Sequence, residues 1–116
     1  MKITRIYTGD DGESHFEDQE MPLRERGPLG AISALQEATG IVFRETDGDY
    51  DLGFHNAPRR QYVVNLDAAV EIETGDGTRR VLGPGEILLA EDLTGRGHRS
   101  RSVDGRPRRS LFVTLD

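Results

Sequence analysis

Two stretches concentrate the side chains that can transfer protons, ligate a metal or hold an anion: "FHNAPRRQYVVNL", Phe54 to Leu66, and "GPGEILLAEDLTGRGHRSR", Gly83 to Arg101. Between them they hold two of the three histidines, His55 and His98. A neutral imidazole near pH 7 can ligate a metal or take a proton from a substrate, because its ordinary pKa is about 6.5, and each can equally be a hydrogen-bonded structural residue, His55 at the start of a strand above all. His98 follows a "TGRG" loop whose glycines permit close backbone approach. Gln61 can ligate through its amide oxygen, donate a hydrogen bond to a substrate, or be a buried amide satisfied by backbone. Arg59 can meet a substrate carboxylate bidentately or stay solvated at a strand mouth. In "AED", Glu91 or Asp92 can serve as general acid or base while the other caps the turn, or both can pair with nearby arginines. His15, set in the acidic "GESHFEDQE", reads as a surface residue.

Composition narrows these options. The chain has no cysteine, so thiolate metal sites, cysteine nucleophiles and disulfides are excluded, and any metal must use His, carboxylate or amide ligands. The formal charge is −6 over 116 residues. Acids crowd "GDDGESHFEDQE" and "RETDGDYD", while most arginines follow Pro58 in "PRR", "TRR", "RGHRSR" and "GRPRR" without aromatic interleaving. That pattern argues against nucleic-acid binding. The single Lys2 against fourteen arginines fits a GC-rich bacterial coding sequence. No run reaches the roughly 20 apolar residues of a membrane helix, and the opening "MKITRIYTGDDGESHF" lacks a signal-peptide core, so the expectation is a cytoplasmic protein without membrane contact.

The elements that must position these residues are short. Runs rich in Val, Ile, Leu, Phe and Tyr recur between Gly, Pro and Asp punctuation: "ITRIYT", "HFEDQEMPL", "AISAL", "GIVFRET", "QYVVNL", "AVEIET", "TRRVL", "EILLA", "HRSRSV" and "SLFVTL". Such spacing predicts an all-β sandwich or barrel. "AVEIETGDGTRRVL" is the clearest hairpin, and "ISALQEATG" is the one segment that competes as a helix. If Phe54–Leu66 is extended, His55, Ala57, Arg59, Gln61, Val63 and Asn65 share one face and Tyr62, Val64 and Leu66 the other, unless Pro58 or a bulge breaks the alternation. Tyr62, Val64, Val70, Ile72, Ile87, Leu89, Phe112 and Val113 are expected to form the core between two sheets. The length suits one domain.

The order of His55 and Gln61, the hairpin turn "GDG", then "GPGEILLAEDLTGRGH" ending in His98, resembles the cupin superfamily over roughly residues 48–115. The resemblance implies a single cupin-type double-stranded β-helix, a jelly-roll barrel, with N-terminal strands in 1–47 and a motif-bearing barrel in 48–116. Cupin motif 1 carries His-x-His, then Glu, then Gly. Here His55 matches the first histidine, Ala57 replaces the second, Gln61 replaces the Glu and Ala68 the Gly. Gly85 opens the second motif and His98 closes it. Losing one imidazole and the only carboxylate weakens a site for a divalent ion. Some cupins nevertheless use only a His, a Glu six positions on and a distant His, the spacing of His55, Gln61 and His98.

The resemblance implies an enzyme of lyase, isomerase or oxygenase type acting on a small organic acid or aromatic metabolite, with His98, His55 and Glu91 catalytic and Gln61 and Arg59 binding substrate. A divalent Fe, Mn, Ni or Zn ion on His55, Gln61 and His98 and a metal-free acid–base site stay open together. A non-catalytic ligand-binding or regulatory cupin is the alternative. Cupins often pair through N-terminal strands, so a homodimer is expected.

Overall fold

The computed structural model describes residues 1–116 and contains no α-helix. Twelve strands follow in order: β1 Lys2–Thr8, β2 Ser14–Glu20, β3 Arg24–Glu25, β4 Ala31–Ile32, β5 Gly40–Thr46, β6 Asp51–His55, β7 Gln61–Asn65, β8 Val70–Thr74, β9 Arg79–Leu82, β10 Ile87–Glu91, β11 His98–Ser102 and β12 Arg108–Thr114. A 3-10 turn at Gly27–Leu29 joins β3 to β4. Six strands form one sheet in the order β2-β1-β10-β7-β12-β5, and four form a second in the order β6-β11-β8-β9. The β1–β10 pair is parallel and its neighbours are antiparallel. The two sheets stay separate, with no closed ring of hydrogen-bonded strands. Within residues 1–47, β1, β2 and β5 belong to the six-stranded sheet, β1 pairing with β10 and β5 with β12, whereas β3 and β4 pair only with each other.

Alternation explains how the sheets pack. In β8 Val70, Ile72 and Thr74 are buried while Glu71 and Glu73 are only partly so. Val70 and Ile72, with Leu82 from β9, meet Ile6, Leu88 and Ala90 from the larger sheet, and Ala57 completes the cluster. Burying each such aliphatic side chain contributes about 1.5–3 kcal/mol. The β8–β9 turn is locked by Asp76, whose Oδ1 accepts from Thr74 Oγ1 at 2.7 Å and from the Thr78 amide at 3.0 Å, with Gly77 at φ 88°. Those bonds, the Thr74 hydroxyl first, lower the Asp76 pKa to about 2.

Three local expectations are corrected. "ISALQEATG" forms no helix; residues 33–39 are irregular and Leu35 is 97% exposed. Its groups bond to the large sheet instead, with the Thr39 amide donating to Thr114 O at 2.8 Å and Tyr62 Oη donating to Gln36 Oε1 at 2.7 Å. A nine-residue helix with no packed face is marginal in water. Tyr62, Val64, Ile87, Leu89 and Val113 lie on the outer face of the six-stranded sheet rather than between the sheets. Some of them gather with Ile3 and Leu115 in a second cluster. Lastly, the chain is not one extended strand from His55 to Asn65: β6 ends at His55, and residues 56–60 bend across to β7 in the other sheet.

Candidate functional site

Between the sheets lies a cavity of about 350 Å³. Gln61, Val63 and Asn65 face it from β7, as their shared parity predicts. His55 reaches it from the opposite sheet, so the two polar ends of the "FHNAPRRQ" segment converge by crossing between layers. Aliphatic and aromatic groups such as Ile72, Leu88 and Phe112 supply much of the remaining wall.

The histidines are cross-strand partners, His98 of β11 opposite His55 of β6, with ring centroids 4.5 Å apart and planes tilted by 59°. His98 is 7% exposed. Its Nδ1 lies 2.5 Å from Asp92 Oδ2, and Ser14 Oγ donates to the same oxygen at 2.8 Å. Asp92 is fully buried, and its Oδ1 has no partner. His55 Nδ1 lies 2.7 Å from the Gly53 carbonyl oxygen. Carboxylates and carbonyls only accept, so each neutral ring carries its proton on Nδ1 and keeps a lone pair on Nε2. Burial, first, lowers the His55 pKa below its ordinary 6.5; His98 and Arg44 add to this, against the Gly53 bond and the Asp92 charge.

Two backbone features hold the pair together. Gly97 sits at φ 78°, and a Cβ there would stand 2.0 Å from His55 O, so only glycine lets the loop after Asp92 press against β6. Asn56 Nδ2 donates to Thr94 O at 2.9 Å and Gly95 O at 3.2 Å, tying that loop to the bend after His55.

The structure brings together four of the residues singled out in the sequence: His55, Gln61 and His98 in the wall, and Arg59 at the exposed rim. Gln61 is 5% exposed. Glu91 is not among them. Its neighbour Ala90 faces the cavity, so Glu91 points to the other side of β10. There it accepts from Arg5 Nε at 2.6 Å and Arg60 Nε at 2.5 Å. Burial acts to raise its pKa, but the two arginines outweigh it and hold the carboxyl below its ordinary value. The carboxylate at the site is the adjacent Asp92. Sequence reasoning also passed over Ser14, Asn56, Arg44, Tyr50 and Arg108, of which all but Ser14 line the cavity.

The donor set for a metal is two imidazole Nε2 atoms and the neutral Gln61 amide. No aspartate or glutamate lines the cavity, whereas Arg44, Arg59 and Arg108 do. No group of three His, Cys, Asp or Glu side chains is placed to hold an ion. Imidazole suits a borderline dication, but two imidazoles with one neutral amide and no anionic donor, in a wall that carries three arginines, do not fit one.

No family model matches the chain and no curated protein is similar to it. Its fold is similar to that of protein NMB1881 from Neisseria meningitidis, with a TM-score of 0.51 and 18% identity over 66% of this chain and 72% of that one. It is also similar to the conserved protein SPY1581 of Streptococcus pyogenes, described as of unknown function, with a TM-score of 0.51 and 19% identity over 72% of this chain and 70% of that one. At these identities the likeness concerns the fold.

Proposed function

We propose that the chain is a small cupin-type jelly roll that converts a small organic molecule in the cavity between its sheets by proton transfer, as an isomerase or lyase. The observation that carries this reading is the buried Ser14–Asp92–His98 chain, which fixes one imidazole tautomer and presents its free Nε2 beside the equally free Nε2 of His55.

His98 Nε2 takes a proton from a carbon next to a carbonyl, and the electron pair left behind moves onto the carbonyl oxygen. The imidazolium that forms is stabilised by Asp92, as the aspartate of a catalytic triad stabilises its histidine. The Gln61 amide and Arg59 are the donors available to the oxyanion, and neutral His55 can only accept. In a β,γ-unsaturated substrate, returning the proton to the γ carbon while the double bond moves into the α,β position completes an isomerisation. With a leaving group on the β carbon, its departure as the α,β double bond forms, with the proton passed to it, completes an elimination.

Deuterium wash-in tests this without knowledge of the product. The protein is incubated in D2O with a panel of small keto acids and β-dicarbonyl acids, and loss of the activated C–H signal is followed by proton NMR. Exchange of at least one compound by the parent protein, abolished in His98→Asn, is expected. Absence of enzyme-dependent exchange across the panel rejects proton abstraction and leaves ligand binding without catalysis.

A further inference from the structure

The cavity carries a charge imbalance that proton transfer does not use. Arg44, Arg59 and Arg108 line it and no carboxylate does, in a chain with 21 acidic against 15 basic residues. Elsewhere most arginines are paired, among them Arg5 and Arg60 with Glu91, Arg101 with Glu71 and Arg109 with Asp67. Arg108 is the extreme case. It is 5% exposed, and its Nε and Nη1 are sealed from solvent with no hydrogen-bond partner.

Strand geometry explains its position. Arg108, Ser110 and Phe112 share the inward face of β12, and Ser110 pairs with Arg44 on β5, so Arg44 and Arg108 are diagonal neighbours. The two guanidinium carbons lie 5.2 Å (Arg44) and 5.5 Å (Arg108) from the centroid of the Tyr50 ring. Cation–π contact offsets only a part of the cost of burying an unpaired ion. Arg44 worsens the deficit, since it adds a second positive charge. Burial and Arg44 both act to lower the Arg108 pKa, with only the Tyr50 hydroxyl opposing them. Nothing within the chain compensates this pair, so the missing counter-charge belongs to a ligand.

We propose that Arg108, with Arg44, binds the carboxylate of the small molecule that enters the cavity, orienting its remainder toward His55 and His98. This rests on the cavity being the substrate site described above and adds the class of substrate, a small monocarboxylate with an apolar body. Arginine forks receive phosphate as well as carboxylate, so inorganic phosphate is the competing anion; the largely apolar wall, without a helix N-terminus or glycine nest to bond further oxygens, favours the carboxylate. Apolar walls from Val63, Ile72, Leu88 and Phe112 suit the body of such an acid.

The test is a thermal-shift and calorimetric titration of the whole chain with acetate, pyruvate, benzoate and phenylacetate. Each is run beside its primary amide, with inorganic phosphate as a separate arm. At least one acid is expected to bind about tenfold or more tightly than its amide, and phosphate to bind no better than the amides. Arg108→Met is expected to abolish the preference while melting at or above the parent temperature, because an unpaired buried charge has been removed. His98→Asn is expected to retain the preference. Equal binding of every acid and its amide, a preference for phosphate, or an undiminished preference in Arg108→Met would overturn the proposal. Should Arg108→Met not fold, the acid-to-amide ratio of the parent and its loss in Arg44→Gln decide. Carboxylate binding through Arg108 without deuterium wash-in would sink proton transfer and leave the anion site standing.

Discussion

Asp92 is the residue on which the site turns. It sits behind His98, receives two hydrogen bonds on one oxygen and is wholly buried. Asp92→Asn keeps the shape but replaces an acceptor with a group that also donates, so the His98 ring loses its fixed tautomer. Wash-in is expected to fall about 10²- to 10⁴-fold, measured on the responsive compound, with far-UV circular dichroism unchanged. Glu91 makes the opposite prediction. Glu91→Gln should cost about 1 kcal/mol, read by urea denaturation, with wash-in within about twofold of the parent, because Glu91 only joins Arg5 and Arg60 outside the cavity. His55 adds a pH dependence. Its folded pKa lies below 6.5, so the unfolded chain binds the extra proton as pH drops beneath that value. Melting temperature is therefore expected to hold above about pH 6.5 and decline below it, and His55→Gln should flatten that part of the curve. An unaltered slope in His55→Gln would contradict a half-buried, neutral His55.

At the scale of elements, the loop between β10 and β11 sets the distance between the two imidazoles. Gly97→Ala places a Cβ against the His55 carbonyl at a positive φ. We expect a loss of about 1–3 kcal/mol in denaturation and wash-in reduced with it. Element boundaries also show what the sequence could and could not reveal. "GIVFRET" and "VEIET" become β5 and β8 because β-branched residues between Gly and Asp punctuation have few other conformations open to them. β6 escaped notice because "DLGFH" is short, exposed for most of its length and interrupted by Gly53, so no apolar alternation marks it. His55 and Gln61 both line the cavity, and their convergence comes from facing sheets and not from one extended strand. Arg108 was hidden by the alternation rule itself. In β12 the flanking Leu111 and Val113 look like core residues, yet they face outward while Arg108, Ser110 and Phe112 face in. Since the large sheet is apolar on its outer face as well, hydrophobic pattern alone does not identify its cavity side.

That outer face matters for the whole molecule. Phe43 is 75% exposed and Ile41 52%, on the edge strand β5 opposite Leu111 and Val113. Apolar side chains exposed on an edge strand lower solubility. Phe43→Glu is expected to raise the solubility limit of the chain in a precipitation assay without lowering its melting temperature, and an unchanged limit would contradict the exposure of Phe43.

The presentation of two free Nε2 atoms inside an arginine-lined cavity is read most directly by long-range proton–nitrogen NMR of the imidazoles at pH 7.5. Both His55 and His98 are predicted to carry the proton on Nδ1, with Nε2 in the unprotonated chemical-shift range. In Asp92→Asn, His98 alone should lose that single tautomer. A His98 ring protonated on Nε2 in the parent protein would contradict its role as the base.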